Sequence, residues 1–304
     1  MRRSWQNTVR NIILSIIMLW LFSYLVPYVW HYRSPTPMVY EADTIRYANA
    51  TWPRRRIPRL IHQTYRTHDV PAIWNGTVQS VMEKNIGEFQ YRRWSDIERD
   101  ALVEAYEPHF YWNTYVNYPY DVQRIDSFRY VLMFHLGGIY IDMDNGCNRP
   151  FRELIATLEA LDPDSPHLAA FPGRISFGVE NDLIISTAGH PFHRQLISRL
   201  HYFNHYFILH FWTVLISTGP IYVSIQERFF SSSQQAVMRL LDPPLFRPIF
   251  TRKENGFSWV RKDTRIAFFL NDHGTSLLWL CKIFTFMLII LVLYKKYKIK
   301  LRRS

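Results

Sequence analysis

Cysteine is almost absent from this chain of 304 residues: there are two, Cys147 and Cys281. A disulfide framework is therefore excluded, whatever the redox state of the compartment. There is no internal repeat, and no basic arm interleaved with aromatics of the kind a nucleic-acid groove needs. The formal net charge is +11, but nine of those charges lie at the two ends, on Arg2, Arg3 and Arg10 and on Lys295, Lys296, Lys298, Lys300, Arg302 and Arg303. What remains is near neutral, so the charge speaks for topology and not for nucleic acid.

From Asn11 to Trp30 there is no charged residue at all, about the length a helix needs to cross a bilayer. No small-residue cleavage site follows it, so the segment 11–30 reads as a retained signal anchor after a cytosolic stretch 1–10. A second apolar run spans 276–294, with Lys282 near enough to its start to snorkel; a basic tail, 295–304, follows. Basic flanks mark the cytosolic side, which predicts cytosolic termini, a body in the lumen and the membrane as a partner. Asn49 and Asn75 head sequons that a lumenal body could use.

Residues 31–56, rich in proline and with Arg54, Arg55 and Arg56 in succession, read as a stem. The body, 57–275, alternates strand and helix signals. "IPRLIHQTY" (57–65) suits a first core strand, "EFQYRRW" alternates like a strand, and Ser95 with Glu98 is a capping-box pattern. "YDVQRIDSFRYVLMFHLGG" repeats Val122, Ile125, Phe128, Leu132 and Leu136 at helical spacing and ends on Gly137 and Gly138. Further strands are predicted at 139–142, 167–171, 182–186 and 265–270, and helices from Phe192 and Gly219. The pattern implies an α/β fold with a largely parallel sheet and ligands at the carboxyl ends of its strands.

Asp142 and Asp144 stand at one such end. In an extended chain they project together while Met143 turns aside, and two like charges so close call for a cation. Oxygen ligands alone suit Mn²⁺ or Mg²⁺, which also bind substrate phosphates. The competing reading is a solvated turn, for which Asn145-Gly146 is a signal. Asp126 and Arg129 are neighbours on one helical face, expected to point away from the Val122, Ile125 and Leu132 stripe, as a second functional polar pair or a structural surface ion pair.

"IPRLIHQTY", "QRIDSFRYVLMFHLGGIYIDMDNGC" and the "TGP" at 218–220 resemble the D-x-D sugar-nucleotide glycosyltransferases that include the inositol phosphorylceramide mannosyltransferases. The resemblance covers about 57–275 and extends to the two flanking apolar segments. It implies a GT-A fold with flanking transmembrane helices and retaining transfer of mannose from GDP-mannose to inositol phosphorylceramide, in a Golgi membrane. It further implies that Asp126 and Arg129 contact the donor, that Asp142 meets its ribose or sugar, and that Asp144 binds the metal. Ile61, His62 and Gln63 would line the nucleotide edge, and Asn181 and Asp182 the donor sugar. The family's C-terminal histidine ligand corresponds to His273, although the Ser-Trp pair that should follow is broken here into Ser276 and Trp279. A regulatory partner subunit stays open. So do two other functions: a mannosyltransferase for protein-linked glycans, and a non-catalytic subunit that kept the fold. The apolar 203–222 stretch reads either as an interfacial acceptor platform or as a buried core helix pair.

Overall fold

In the computed structural model the chain forms two compact units, Pro35–Asp263 and a second made of Met1–Ser34 with Thr264–Ser304. The structure describes residues 36–47, 55–173, 178–207 and 209–254, and scattered positions between 264 and 294. The segment 11–30 lies outside the described residues, and of 276–294 only single helical positions such as Ser276, Trp279 and Met287 are described. Among the described residues, no helix is long and apolar enough to cross a membrane. Arg265, Phe268 and Phe269 are helical, which corrects the strand expected at 265–270.

In chain order the larger unit comprises β1 (Met38–Val39), α1 (Glu41–Tyr47), β2 (Leu60–Thr64), α2 (Asn75–Lys84), β3 (Gln90–Trp94), α3 (Asp96–Tyr106) and α4 (Pro108–Asn113). Next come α5 (Asp121–His135), β4 (Gly138–Ile141), β5 (Asn145–Cys147), α6 (Phe151–Leu161), β6 (His167–Pro172) and β7 (Leu183–Ser186). The last are α7 (Pro191–Phe203), α8 (His210–Ser217), α9 (Pro220–Arg228), β8 (Ala236–Leu241) and β9 (Thr251–Lys253). Seven strands make one sheet in the order β1-β8-β6-β7-β4-β2-β3. Only β7 runs against its neighbours, so the sheet is mixed, and largely parallel as the alternation predicted. β1 pairs with β8 at one edge, which places the start of the folded unit upstream of residue 57 and inside the stretch read as a stem.

Both faces of the sheet are covered. Tyr140, Phe171 and Ile184 pack with α5, α7 and α9 through Phe128, Leu132, Phe192, Leu196 and Tyr222. Ile139, Ile141, Ala170 and Ile185 turn the other way, toward Val81 of α2 and Phe151, Leu154 and Leu158 of α6. Alternation along each strand feeds both cores. The capping box forms as read: the Glu98 amide donates to Ser95 Oγ, and the Ser95 amide donates to Glu98 at 2.9 Å. Within the 203–222 stretch the two helices are core, with Phe211, Val214, Leu215 and Tyr222 buried in α8 and α9, whereas Tyr206 before them is exposed.

Candidate active site

The junction between α5 and β4 sets the site. Gly137 and Gly138 have φ of 64° and 97°, a left-handed backbone that side chains disfavour. A Cβ at Gly138 would also lie 2.6 Å from the Leu60 carbonyl oxygen of β2. The two glycines therefore let a helix turn directly into a central strand, and the middle of α5, at Asp126 and Arg129, reaches Asp142 at the end of β4. β4 pairs with β7 so that Ile141 faces Leu183, and the Asp142 amide donates to the Asp182 carbonyl at 2.9 Å. Two chain segments distant in sequence, 142–145 and 180–182, thus meet at one end of the sheet.

Around Arg129 the polar groups are nearly saturated. Its guanidinium lies 3.1 Å from Asp126 and 3.3 Å from Asp142, donates to the Asn181 carbonyl at 2.5 Å and sits over the Tyr140 ring at 4.8 Å. Asp126 also accepts from Asn181 Nδ2 at 3.2 Å and from Thr218 Oγ1 at 2.9 Å, and Tyr140 donates to Asp142 at 2.9 Å. Both members of the pair are 3% exposed. The expected outward face is thus corrected: Gln123, Asp126, Ser127 and Tyr130 are buried, whereas Val122 and Ile125 are only partly so. Burial pushes the Asp126 carboxyl up to about 6 against the pull of Arg129. Arg129 also suffers from burial, but the surrounding Asp142, Tyr140 and Asp126 hold its pKa above the ordinary value.

Next to this lies a second, less satisfied group. Asp142 through Asn145 form a turn closed by the Asn145 amide donating to the Asp142 carbonyl at 3.0 Å, and Met143 is buried at 4% exposure. The extended geometry that would project both aspartates together is not adopted: Asp142 meets Arg129, and Asp144 meets Lys253 at 3.5 Å. Asn145-Gly146-Cys147 is a strand, β5, paired antiparallel with β9 so that Asn145 faces Lys253. Lys253 Nζ is also 3.2 Å from Asp182, which further accepts from Arg247 and, at 3.0 Å, from Asn145 Nδ2. Yet Asp144 Oδ1 and Asp182 Oδ1 are buried without a hydrogen-bond partner. Burial and the nearby Asp142 push Asp144 up to about 6, and burial with Asp182 pushes Glu180 up to about 7. Asp182, though buried, is held below its usual range by Lys253 and Arg247.

This group fits a hard divalent cation. Its donors are carboxylate oxygens, and an orphaned, buried Asp144 Oδ1 has no other evident partner. Among the described residues there is no cluster of three or more His, Cys, Asp or Glu side chains set to hold a metal. Two protein carboxylates with substrate phosphates completing the shell is the usual Mg²⁺ or Mn²⁺ arrangement.

The other expected residues are dispersed. Gln63 reaches the Asp142 carbonyl at 3.4 Å and accepts from Tyr91 at 2.7 Å. Ile61 is buried in the core, and His62 has both ring nitrogens engaged, with Gly137 O at 3.1 Å and Trp94 Nε1 at 3.2 Å; burial lowers its pKa to about 4. His273 belongs to the other unit, where it is exposed and meets Phe269 edge-on at 4.6 Å. Lys253 and Arg247 escaped sequence reasoning, because a three-residue strand and the stretch before it carry no pattern that points to a distant aspartate. Thr218 stood in a quoted motif without a role, and its bond to Asp126 supplies one.

Residues 71–161 match the family described as "Glycosyltransferase sugar-binding region containing DXD motif". The chain is 29% identical over 247 residues to mannosyl phosphorylinositol ceramide synthase SUR1 of Saccharomyces cerevisiae, covering 79% of this chain and 60% of that protein. It is 29% identical over 252 residues to the CSH1 synthase of the same yeast, 81% of this chain and 63% of that one. Inositol phosphoceramide mannosyltransferase 1 of Schizosaccharomyces pombe shares 27% identity over 256 residues, 82% of this chain and 76% of the other. The chain thus spans less than two thirds of the length of the two S. cerevisiae proteins.

Proposed function

We propose, for a chain that belongs to the D-x-D glycosyltransferase family of the inositol phosphorylceramide mannosyltransferases, that it moves mannose from GDP-mannose to the inositol of inositol phosphorylceramide with retention of configuration. The observation that carries this reading is the buried Asp126–Arg129–Asp142–Asn181 network lying directly beside Asp144 and Asp182 at one end of the mixed sheet. Sugar-nucleotide transfer needs a place for sugar hydroxyls and a place for phosphate charge, and these adjoining groups offer one of each.

Asp126 and Asn181 accept and donate at fixed positions, suited to sugar hydroxyls. Arg129 carries a charge that burial has not quenched and that can stabilise negative charge developing on the departing phosphate. Asp144, with Asp182 beside it, would hold Mn²⁺ or Mg²⁺ against the diphosphate, and such an ion withdraws charge from the leaving group. Asp126, held by Asn181 and Thr218, is read here as an acceptor for a sugar hydroxyl and not as a nucleophile, so the transfer we favour is a front-face displacement. The architecture we assign is GT-A, flanked by the two apolar segments as membrane anchors, in the Golgi with the body lumenal. Asn75 is exposed at the start of α2, in keeping with a lumenal sequon; a glycan there, removable by endoglycosidase, checks the topology. A regulatory partner subunit belongs to this same reading.

The test is a donor and acceptor panel with the full chain in detergent. GDP-mannose with inositol phosphorylceramide is expected to yield mannosylated lipid, and UDP-sugars are expected to yield none. Mannose on a glycoprotein acceptor and none on the phosphosphingolipid would replace the lipid assignment by the glycan one. No transfer and no donor hydrolysis would leave a non-catalytic subunit.

A further inference from the structure

Asp144 and Asp182 are both buried, with side chains 13% and 5% exposed, and they share one ammonium, Lys253 Nζ, at 3.5 and 3.2 Å. Neither carboxylate needs this lysine to reach the other: their segments are already joined through the Asp142 amide and the Asn145 side chain. What the lysine supplies is charge. Two carboxylates in one desolvated spot repel unless a cation stands between them, and Lys253 occupies that position, delivered by the β5–β9 register that sets it opposite Asn145. Both of the oxygens it approaches are Oδ2, while each Oδ1 stays buried and without a hydrogen bond.

We propose that Lys253 is a tethered counter-ion that holds the place of the divalent cation between Asp144 and Asp182, so that ammonium and metal exclude one another there. This rests on the reading of Asp144 as metal-binding. An ion such as Mg²⁺ would approach its carboxylate oxygens to about 2.0–2.1 Å, closer than the 3.5 and 3.2 Å of the ammonium, and two cations that close in a buried setting repel strongly. Metal entry therefore requires the Lys253 side chain to swing out. β9 keeps its place through its ladder with β5, and the flexible four-carbon stem makes that swing a side-chain event. Arg247 stays on Asp182 as a fixed countercharge, which leaves Asp144 as the carboxylate that changes partner. The consequence is a carboxylate pair that is neutralised by its own lysine, and that takes metal weakly until the lysine has somewhere better to go.

The experiment measures Mn²⁺ binding to the full chain in detergent, without nucleotide, by the paramagnetic resonance signal of free Mn²⁺. Lys253→Met is expected to bind Mn²⁺ about tenfold tighter than the wild type, and Lys253→Arg to stay within about threefold of it, since only the first removes the competing charge. Equal or weaker binding by Lys253→Met overturns the proposal, as does an absence of Mn²⁺ binding by both proteins. If Lys253→Met is too unstable to titrate, its unfolding temperature should rise with Mn²⁺ by more than that of the wild type; no such rise also overturns it. Sugar transfer by the wild type is scored separately. Transfer with an unchanged Mn²⁺ affinity in Lys253→Met removes the tether and leaves the transferase, while tighter Mn²⁺ binding without transfer does the reverse.

Discussion

Two carboxylate groups lie side by side at the end of β4, and they differ in how fully their charge is answered. Asp126 and Asp142 share one arginine, and Asp126 has hydrogen bonds to both oxygens. Asp144 and Asp182 share a lysine and each keep an oxygen buried without a hydrogen bond. The first group comes from a long helix and a core strand and is built in as the core forms. The second hangs on a two-stranded ribbon of three residues each. The first group leaves only Arg129 Nε buried without a partner, whereas the second leaves a carboxylate oxygen on each aspartate; under the proposed function, sugar recognition falls to the first and phosphate charge to the second.

The largest effect expected separates the two by activity. Asp144→Ala should lower transfer by about 10⁴-fold, since a bound divalent ion supplies several kcal/mol of charge stabilisation, while its unfolding temperature stays close to that of the wild type. Circular dichroism melts alongside the transfer assay check both halves. Arg129→Met should do the opposite in emphasis, costing about 3–5 kcal/mol of stability because Asp126 is left as a buried, unpaired charge. Urea unfolding measures it, and a loss under about 1 kcal/mol would mean the network is not the closed unit described.

Thr218→Val removes a single hydrogen bond to a buried carboxylate and should cost about 2–3 kcal/mol, again on the side of the saturated group. A control sharpens the comparison. His190 lies outside both groups, donating to the Val237 carbonyl at 3.1 Å and accepting from the Phe192 amide, and burial lowers its pKa to about 4. A histidine whose folded pKa is depressed contributes stability above its unfolded pKa of about 6.5, and loses it as pH falls from there toward the folded value. Stability lost between pH 7 and pH 5 should therefore be smaller by about 2 kcal/mol in His190→Asn than in the wild type, with transfer at pH 7 unchanged. Asp126, Asp144 and Glu180, whose pKa values are raised, act in the reverse sense in both proteins and cancel in the difference.

Much of the first group was legible in the sequence, because helical spacing from Val122 to Leu136 and the Gly137-Gly138 stop define α5, and the strand after it ends at Asp142. Asn181 was read as lying at a strand end, and it stands two residues before β7, bonded to Asp126. The burial of Asp126 and Arg129 was not legible: periodicity of apolar residues pointed to Val122 and Ile125 as the inner face, whereas α8 and β7 enclose the opposite side, where polar residues bond to each other. Asn145-Gly146 looked like a turn because that dipeptide favours one, and the ladder with β9 overrides that preference. Lys253 reaches the site only through this ladder, across more than a hundred residues of chain, and nothing local in "FTRKE" announces it. Strand 265–270 failed for another reason: a short apolar run reads alike as strand or helix.

The most direct test of the account is transfer of radiolabelled mannose from GDP-mannose to inositol phosphorylceramide by the detergent-solubilised full chain, run with and without chelator and compared with an Asp142→Asn, Asp144→Asn double variant. Labelled mannosylated lipid is predicted from the wild type with Mn²⁺, with none after chelation and none from the variant. Undiminished labelling by the folded double variant would place the chemistry somewhere other than the end of β4.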